Sequence, residues 1–444
     1  MICKGNLDFA KQELLQDKNN AVAYVFQDAE YNYKNKGKLT NCIFTIKDSY
    51  ADKNVVARAS SLLLDGFKPE YKATVIDLLE KAGATCIART NLDEFGMGGT
   101  GEYSAFGIIK NPLNKDYLVG GSSSGAAATF TKNISFAIGS DTGDSVRKPA
   151  SNIGKVGFKP SYGAISRYGL FAFASSLDTV AYFTHNVADS IELSSVLFEQ
   201  DLKHDLTSLD MHFNSSDIKL SKPKKVAYLD CFDYLNEDVK SAYKNVLDLL
   251  QKDNVILEKI SVNEKLLNSI NVVYRIIAFS EANSNLANLN GVAFGNRIEG
   301  NSWEDSYIKT RSKGLGPMVQ SRLILGAFFL EEQNQYKYFD KAKRMRRYLS
   351  NYFTEIHRNS DCFIYPASND AAPKLKENQN SSFMDFILTN SNLTGNPSLT
   401  LKMGQKKSNN LPFNLAIDSE IYSDKKLLSY ALYFEKKLGG ENGI

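Results

Sequence analysis

At 444 residues, with 43% hydrophobic and 23% charged positions, the chain has the length and apolar content of one large or two ordinary globular domains. Its 53 Lys and Arg against 50 Asp and Glu leave a net charge of +3, too small to require a polyanionic partner. Five dispersed cysteines without a Cys-x-x-Cys pair argue against a disulfide framework and a zinc site, and four histidines, none in a His-Glu-x-x-His pattern, leave a metallohydrolase without ligands.

The first residues hold no apolar stretch of export-signal length, and the longest apolar run, Leu323 to Leu330, is far below the roughly 20 residues of a membrane span. A cytoplasmic location is expected. The run Cys42-Ile-Phe-Thr-Ile46 reads as a strand that ends on Lys47. Burial there disfavours the ammonium and turns a lysine into a base; the other reading is a strand-end lysine reaching solvent or pairing with Asp48. Ala73 to Lys81 has helical spacing, and Thr85 to Ala88, beyond Gly83, is a short strand. Gly96-Met-Gly-Gly-Thr-Gly101 satisfies G-x-G-x-x-G but lacks the preceding strand and following helix of a dinucleotide site.

Gly120-Gly-Ser-Ser-Ser-Gly125 opens into Ala126-Ala-Ala-Thr-Phe, the small-residue start of a buried helix. A phosphate cradle is the alternative, but no Gly-Lys-Ser/Thr follows. Ile134 to Ile138 is strand-like and leads into Gly139-Ser-Asp-Thr-Gly-Asp-Ser145. Amides of Thr142, Gly143, Asp144 and Ser145 there suit a developing oxyanion, unless this is an ordinary turn of small residues. Farther on, Glu237 to Leu250 has apolar positions three and four apart, and Val255 to Ile260 is a strand. Such alternation predicts an α/β protein with a sheet covered by helices on both faces. Residues 263 to 358 are helix-rich, with helices over Leu266–Leu289 and Met318–Phe353. Lys341, Lys343, Arg344, Arg346 and Arg347 form either a solvated helix face or a docking surface for RNA or a partner. Polar stretches at Lys374–Ser382 and Lys402–Asn410 read as surface loops.

Ser122 and Ser145, 23 positions apart, together with Lys47 spell out a serine hydrolase without histidine. A hydroxyl is a poor nucleophile until something takes its proton, and a neutral amine reached through a second hydroxyl does so. These three blocks in this order resemble the amidase signature family. The resemblance implies a large mixed sheet under helices in one domain over 1–444, with a signature core at about 40–190. It implies Ser145 as nucleophile, Ser122 as the cis-serine relay, Lys47 as base, and the Thr142, Gly143, Asp144 and Ser145 amides as oxyanion hole. Within the family, Gly157 to Asp178 is similar to the glutaminase subunits of tRNA-dependent amidotransferases. That likeness implies glutamine as amide donor, with Tyr274, Arg322 and Asp385 at the substrate-binding positions. It also implies B and C partner subunits, ammonia passed to the first of these to convert Glu-tRNA(Gln), ATP and Mg2+ bound by that partner, and no cofactor on this chain. Three departures stand out: Asp144 replaces the family's second glycine before the nucleophile, the interval from Ser122 to Ser145 is one residue short, and the family's Gly-Gly-Ser-Ser-Gly-Gly is Gly120-Gly-Ser-Ser-Ser-Gly125 here. A stand-alone amidase on another amide and a weakly active scaffold in the same complex are the competing readings.

Overall fold

The computed structural model describes residues 3–376 and 382–439. Eleven strands make one sheet: β1 (Val22–Val25), β2 (Ile43–Lys47), β3 (Thr85–Thr90), β4 (Phe136–Asp141), β5 (Val156–Lys159), β6 (Thr179–Thr184), β7 (Lys225–Asp230), β8 (Ile256–Ser261), β9 (Cys362–Pro366), β10 (Ser398–Gln405) and β11 (Pro412–Asp418). Their spatial order is β1-β3-β2-β4-β6-β5-β10-β11-β9-β7-β8. β3, β2 and β4 run parallel, as do β9, β7 and β8, and antiparallel pairings join the two blocks. The sheet is mixed, as the family resemblance implies, and its α/β character is what the alternating pattern predicts.

Both faces of the sheet are covered, and the period-2 geometry of the strands sorts their side chains between two cores. Phe44, Ile46, Phe136 and Ile138 point into the larger core, whereas Ile43 and Ala137 point into the smaller one with Ala126, Ala127 and Ala128. The helix Thr74–Lys81 buries Val75, Ile76 and Leu79 on the sheet. The helix Glu237–Lys252 starts where the Asn236 side chain accepts the Asp238 N–H, and it buries Val239, Tyr243, Val246, Leu247 and Leu250, one stripe at helical spacing. Among the described residues no helix is long and apolar enough to cross a membrane.

The helical segment differs in detail from its sequence reading. The Leu266–Leu289 expectation corresponds to Glu264–Asn285, but Met318–Phe353 is interrupted. One helix covers Pro317–Leu330, and Glu331 then leaves helical geometry (ψ 140°) before the chain resumes through Glu332–Gln335 and a π-turn at Tyr336–Asp340 into Lys341–Asn359. No proline or glycine marks this break, so composition carries no sign of it. A further helix, Trp303–Gly314, precedes them. Of the two polar stretches read as loops, Lys402–Gln405 is the end of β10, paired with β11 from Lys402↔Asn414 to Gln405↔Pro412. The other, 374–382, lies partly outside the described residues. In the basic stretch, Lys343 pairs with Asp340 at 3.0 Å, but Arg346 turns inward and donates to Leu393 O and to Ser176.

Candidate active site

Strands β2, β3 and β4 are parallel neighbours, so their carboxyl ends, Lys47, Thr90 and Asp141, lie along one edge of the sheet. Ligand sites in open parallel sheets form outside such ends, in the loops that follow. Here those loops are Asn91–Gly101 after β3 and Thr142–Val146 after β4, with the Gly120–Gly125 turn between them.

Lys47 is fully buried. Its Nζ lies 2.8 Å from Ser122 Oγ and 2.9 Å from Ser140 Oγ, and it neither reaches solvent nor pairs with Asp48, whose carboxylate is taken by Arg89 at 2.7 Å. Burial lowers the Lys47 ammonium from an ordinary lysine value to about 7, against the opposing fields of Asp93, Asp141 and Asp178. A primary amine that is half neutral near pH 7, in contact with a hydroxyl, is a proton acceptor. Ser122 follows a cis peptide from Gly121.

The turn after β4 is shaped by one buried ion pair. Asp141 accepts the Val146 N–H at 2.9 Å and bonds the Arg147 guanidinium at 2.9 Å. Arg147 also donates to Gly143 O at 2.8 Å and to Leu388 O, Ser391, Ser398 and Asn392 from the far part of the chain. Because a trans peptide sets its N–H opposite its C=O, fixing Gly143 O on the guanidinium turns the Asp144 N–H to the other side. Among the described residues the amides of Thr142, Gly143, Asp144 and Ser145 donate to no other group, so they are open to an anion. Below the turn, the Thr142 hydroxyl donates to Asp178 at 2.7 Å, and the neighbouring Ser145 carbonyl accepts the Ser123 N–H at 3.1 Å, tying the two serine loops together.

A cavity of about 210 Å³ opens over this turn. Gly143, Asp144 and Ser145 form its floor, and Tyr274, Arg322, Asp385 and Lys148 line it, so residues as far apart in sequence as Gly143 and Asp385 meet there. The Tyr274 ring packs over Gly143. The Arg322 guanidinium sits 5.0 Å above the Phe279 ring and donates to Gly98 O at 3.0 Å. Asp385 closes a short helical turn, accepting the Ser382 N–H at 3.0 Å. Asp144 is half-buried, and burial raises its carboxyl to about 6 while Lys148 opposes the rise. Lys47, Ser122 and Thr142 are buried and do not line the cavity.

Sequence reasoning missed four contributors: Ser140, the Asp141–Arg147 pair, Asp178 and Asp93. Ser140 and Asp141 stand inside the motif and were legible as polar residues on a buried strand. Asp93 precedes the Gly96–Gly101 run, which has no context for a dinucleotide. That run does bind an anion, but the anion is the Asp93 carboxylate, which accepts the Gly99, Thr100, Gly101 and Tyr103 amides.

The family model described as "Amidase" matches residues 9–428. The chain is similar to the A subunit of glutamyl-tRNA(Gln) amidotransferase from Mycoplasma genitalium, at 36% identity over 90% of this chain and 86% of that one. It is also similar to the corresponding protein of Sulfurimonas denitrificans, which carries the same name, at 35% identity over 98% of each chain. Among solved structures, the equivalent protein from Thermotoga maritima superposes with a TM-score of 0.80 at 30% identity, over 97% of this chain and 91% of that one.

Proposed function

The chain belongs to the Amidase family, and on that premise we propose that it is the glutaminase component of a tRNA-dependent amidotransferase. Ser145 attacks the carbonyl carbon of the glutamine side-chain amide. Its proton passes to Ser122, whose own proton goes to neutral Lys47. Charge growing on the amide oxygen is met by the Thr142–Ser145 amides, each such donor being worth about 3–4 kcal/mol in the transition state. Collapse of the tetrahedral adduct breaks the C–N bond. The relay, run backwards, returns the proton to the leaving nitrogen as ammonia. Water then attacks the Ser145 ester and gives its proton to Lys47 through Ser122; as the ester C–O bond breaks the relay returns that proton to the Ser145 oxygen, freeing glutamate and restoring neutral Lys47.

A guanidinium fork suits a carboxylate, so Arg322 takes the α-carboxylate of free glutamine, with Asp385 for the α-ammonium and the Tyr274 hydroxyl between them. Ammonia goes to a partner subunit that binds ATP and Mg2+ and converts Glu-tRNA(Gln), and a third, small subunit completes the assembly. The observation that carries the reading is a buried lysine, lowered to about 7, in contact with Ser122, which stands against Gly96 in the lining of a cavity that also holds Ser145 and Arg322. The test is ammonia release from glutamine by the chain with its co-purified subunits, beside Ser145→Ala. Loss of release in the variant is expected, and equal rates retire Ser145 as nucleophile. Faster hydrolysis of simple aliphatic amides than of glutamine, by chain free of partners, would instead favour a stand-alone amidase.

A further inference from the structure

The loop Asn91–Gly101 enters neither the relay nor the oxyanion turn, yet it touches both the relay serine and the cavity. Its centre is Asp93, wholly buried. One carboxylate oxygen accepts the N–H groups of Gly99 (2.7 Å), Thr100 (3.2 Å) and Gly101 (3.2 Å), and the other those of Gly101 (3.1 Å) and Tyr103 (3.0 Å). Two further contacts reach outside this nest. The Asp93 N–H donates to Ser122 O at 3.3 Å. The carboxylate also lies against Gly121, where a Cβ would stand 2.2 Å from Asp93 Oδ2. The same carboxylate presses on Gly98, where a Cβ would stand 2.3 Å from Asp93 Cγ. Gly98 is the residue whose carbonyl holds Arg322. The next residue extends the tie, since Glu94 accepts the Gly316 N–H at 2.7 Å, one residue before the helix that bears Arg322.

We infer that Asp93 is a positioning residue that sets the relay serine and the substrate-reading arginine in one frame. One carboxylate is wedged between the Gly121–Ser122 peptide and the loop that orients Arg322, so neither shifts without the other. The inference deepens the proposed function and rests on it. An amide in place of the carboxylate cannot do the same work: whichever way it turns, its NH2 group faces N–H donors on one side of the nest. Asp93 also has an electrostatic part. It is one of three carboxylates, with Asp141 and Asp178, whose fields favour the Lys47 ammonium. Asp141 is paired with Arg147, and Asp178 accepts the Thr142 hydroxyl and the Phe173 and Ala174 amides. Removing the Asp93 charge therefore shifts Lys47 toward the neutral amine.

The experiment is the rate at which a fluorophosphonate labels Ser145, followed against pH in wild type, Asp93→Asn and Gly98→Ala, with KM for glutamine measured beside it. For Asp93→Asn the acid limb of labelling is expected to move about one unit to lower pH. Its plateau rate is expected to fall about 10²-fold as Ser122 loses its frame. A loss of folded protein alone moves neither the limb nor the rate per folded molecule. Gly98→Ala keeps the charge and displaces the loop, so its limb stays with wild type while KM for glutamine rises about tenfold. Because the Gly98 backbone lies outside the left-handed region, this variant carries the test if Asp93→Asn does not fold. A limb and a plateau rate in Asp93→Asn that match wild type, or an unchanged KM in Gly98→Ala, overturns the inference. Wild type that the probe fails to label sinks the amidase reading itself, and this one with it.

Discussion

Replacing Lys47 by methionine is expected to make the protein more stable while removing its base. Burial holds Lys47 at about 7 against 10.5 for an exposed lysine, a gap of about 4–5 kcal/mol. The sign follows from proton counts. The folded value is depressed, so below pH 7 both states carry the charge and the folded state bears the whole cost. Between about 7 and 10.5 the unfolded chain holds a proton that the folded chain has lost, and stability rises by about 1.4 kcal/mol per pH unit. Above 10.5 both are neutral and the cost is gone. Methionine keeps the volume and drops the charge, but it forfeits the contacts with Ser122 and Ser140, together about 1–2 kcal/mol. The variant should therefore exceed wild type by about 2–3 kcal/mol at pH 7, with the advantage gone by pH 10. Guanidinium chloride unfolding at pH 6.5, 8 and 9.5 measures the difference, and Lys159, also held near 7 by burial, cancels because both proteins contain it. A stability difference that stays constant over that range would mean that Lys47 is not forced toward neutrality, and the base assigned to this site would be lost.

Three other perturbations have expected outcomes. Arg322→Met removes a charge-assisted fork to the substrate carboxylate, worth about 2–3 kcal/mol, so steady-state kinetics should show KM for glutamine up by about 10²-fold with kcat changed far less. Asp144 is held at about 6, so at pH 8 it is ionised beside the oxyanion turn; Asp144→Asn should raise kcat about fivefold at pH 8 and leave it unchanged at pH 5, as ammonia-release assays at both values would record. Arg147→Met strands the buried Asp141 carboxylate and frees the Gly143 carbonyl, and denaturant unfolding should show a loss of about 3–5 kcal/mol.

The parts of the structure legible in sequence are those that short runs determine. Helix and strand periodicity located Thr74–Lys81, Glu237–Lys252 and the strands β2, β3 and β8 to within a residue or two, because each buries one stripe or face set by local spacing. The end of β10 escaped for a related reason. Lys402 is exposed and Gly404 and Gln405 extend past the core, so the segment has the composition of a loop, and only its pairing with β11 makes it a strand. Pairing partners some ten residues away leave no mark on composition.

The site divides along the same line. The serines and the strand-end lysine stand in dense motifs, but what makes Lys47 a base is the degree of its burial, and that is built by segments far away. Asp141 stays ionised next to it because Arg147 is anchored by Leu388, Ser391 and Ser398, some 250 positions downstream. Were that anchor absent, the Asp141 charge would be uncompensated, and its field would push Lys47 toward the ammonium, the form that cannot accept a proton. The chemistry therefore depends on a balance: enough burial to lower one amine to about 7, and three nearby carboxylates, each held by its own partners, whose fields oppose that lowering without reversing it. Asp141 has its arginine, Asp178 its hydroxyl and two amides, and Asp93 its nest of glycine-loop amides. The glycines of residues 96–101 thus serve the same site as the catalytic motif: they bring backbone N–H groups close enough to hold in its charged form a buried carboxylate whose field acts on the base.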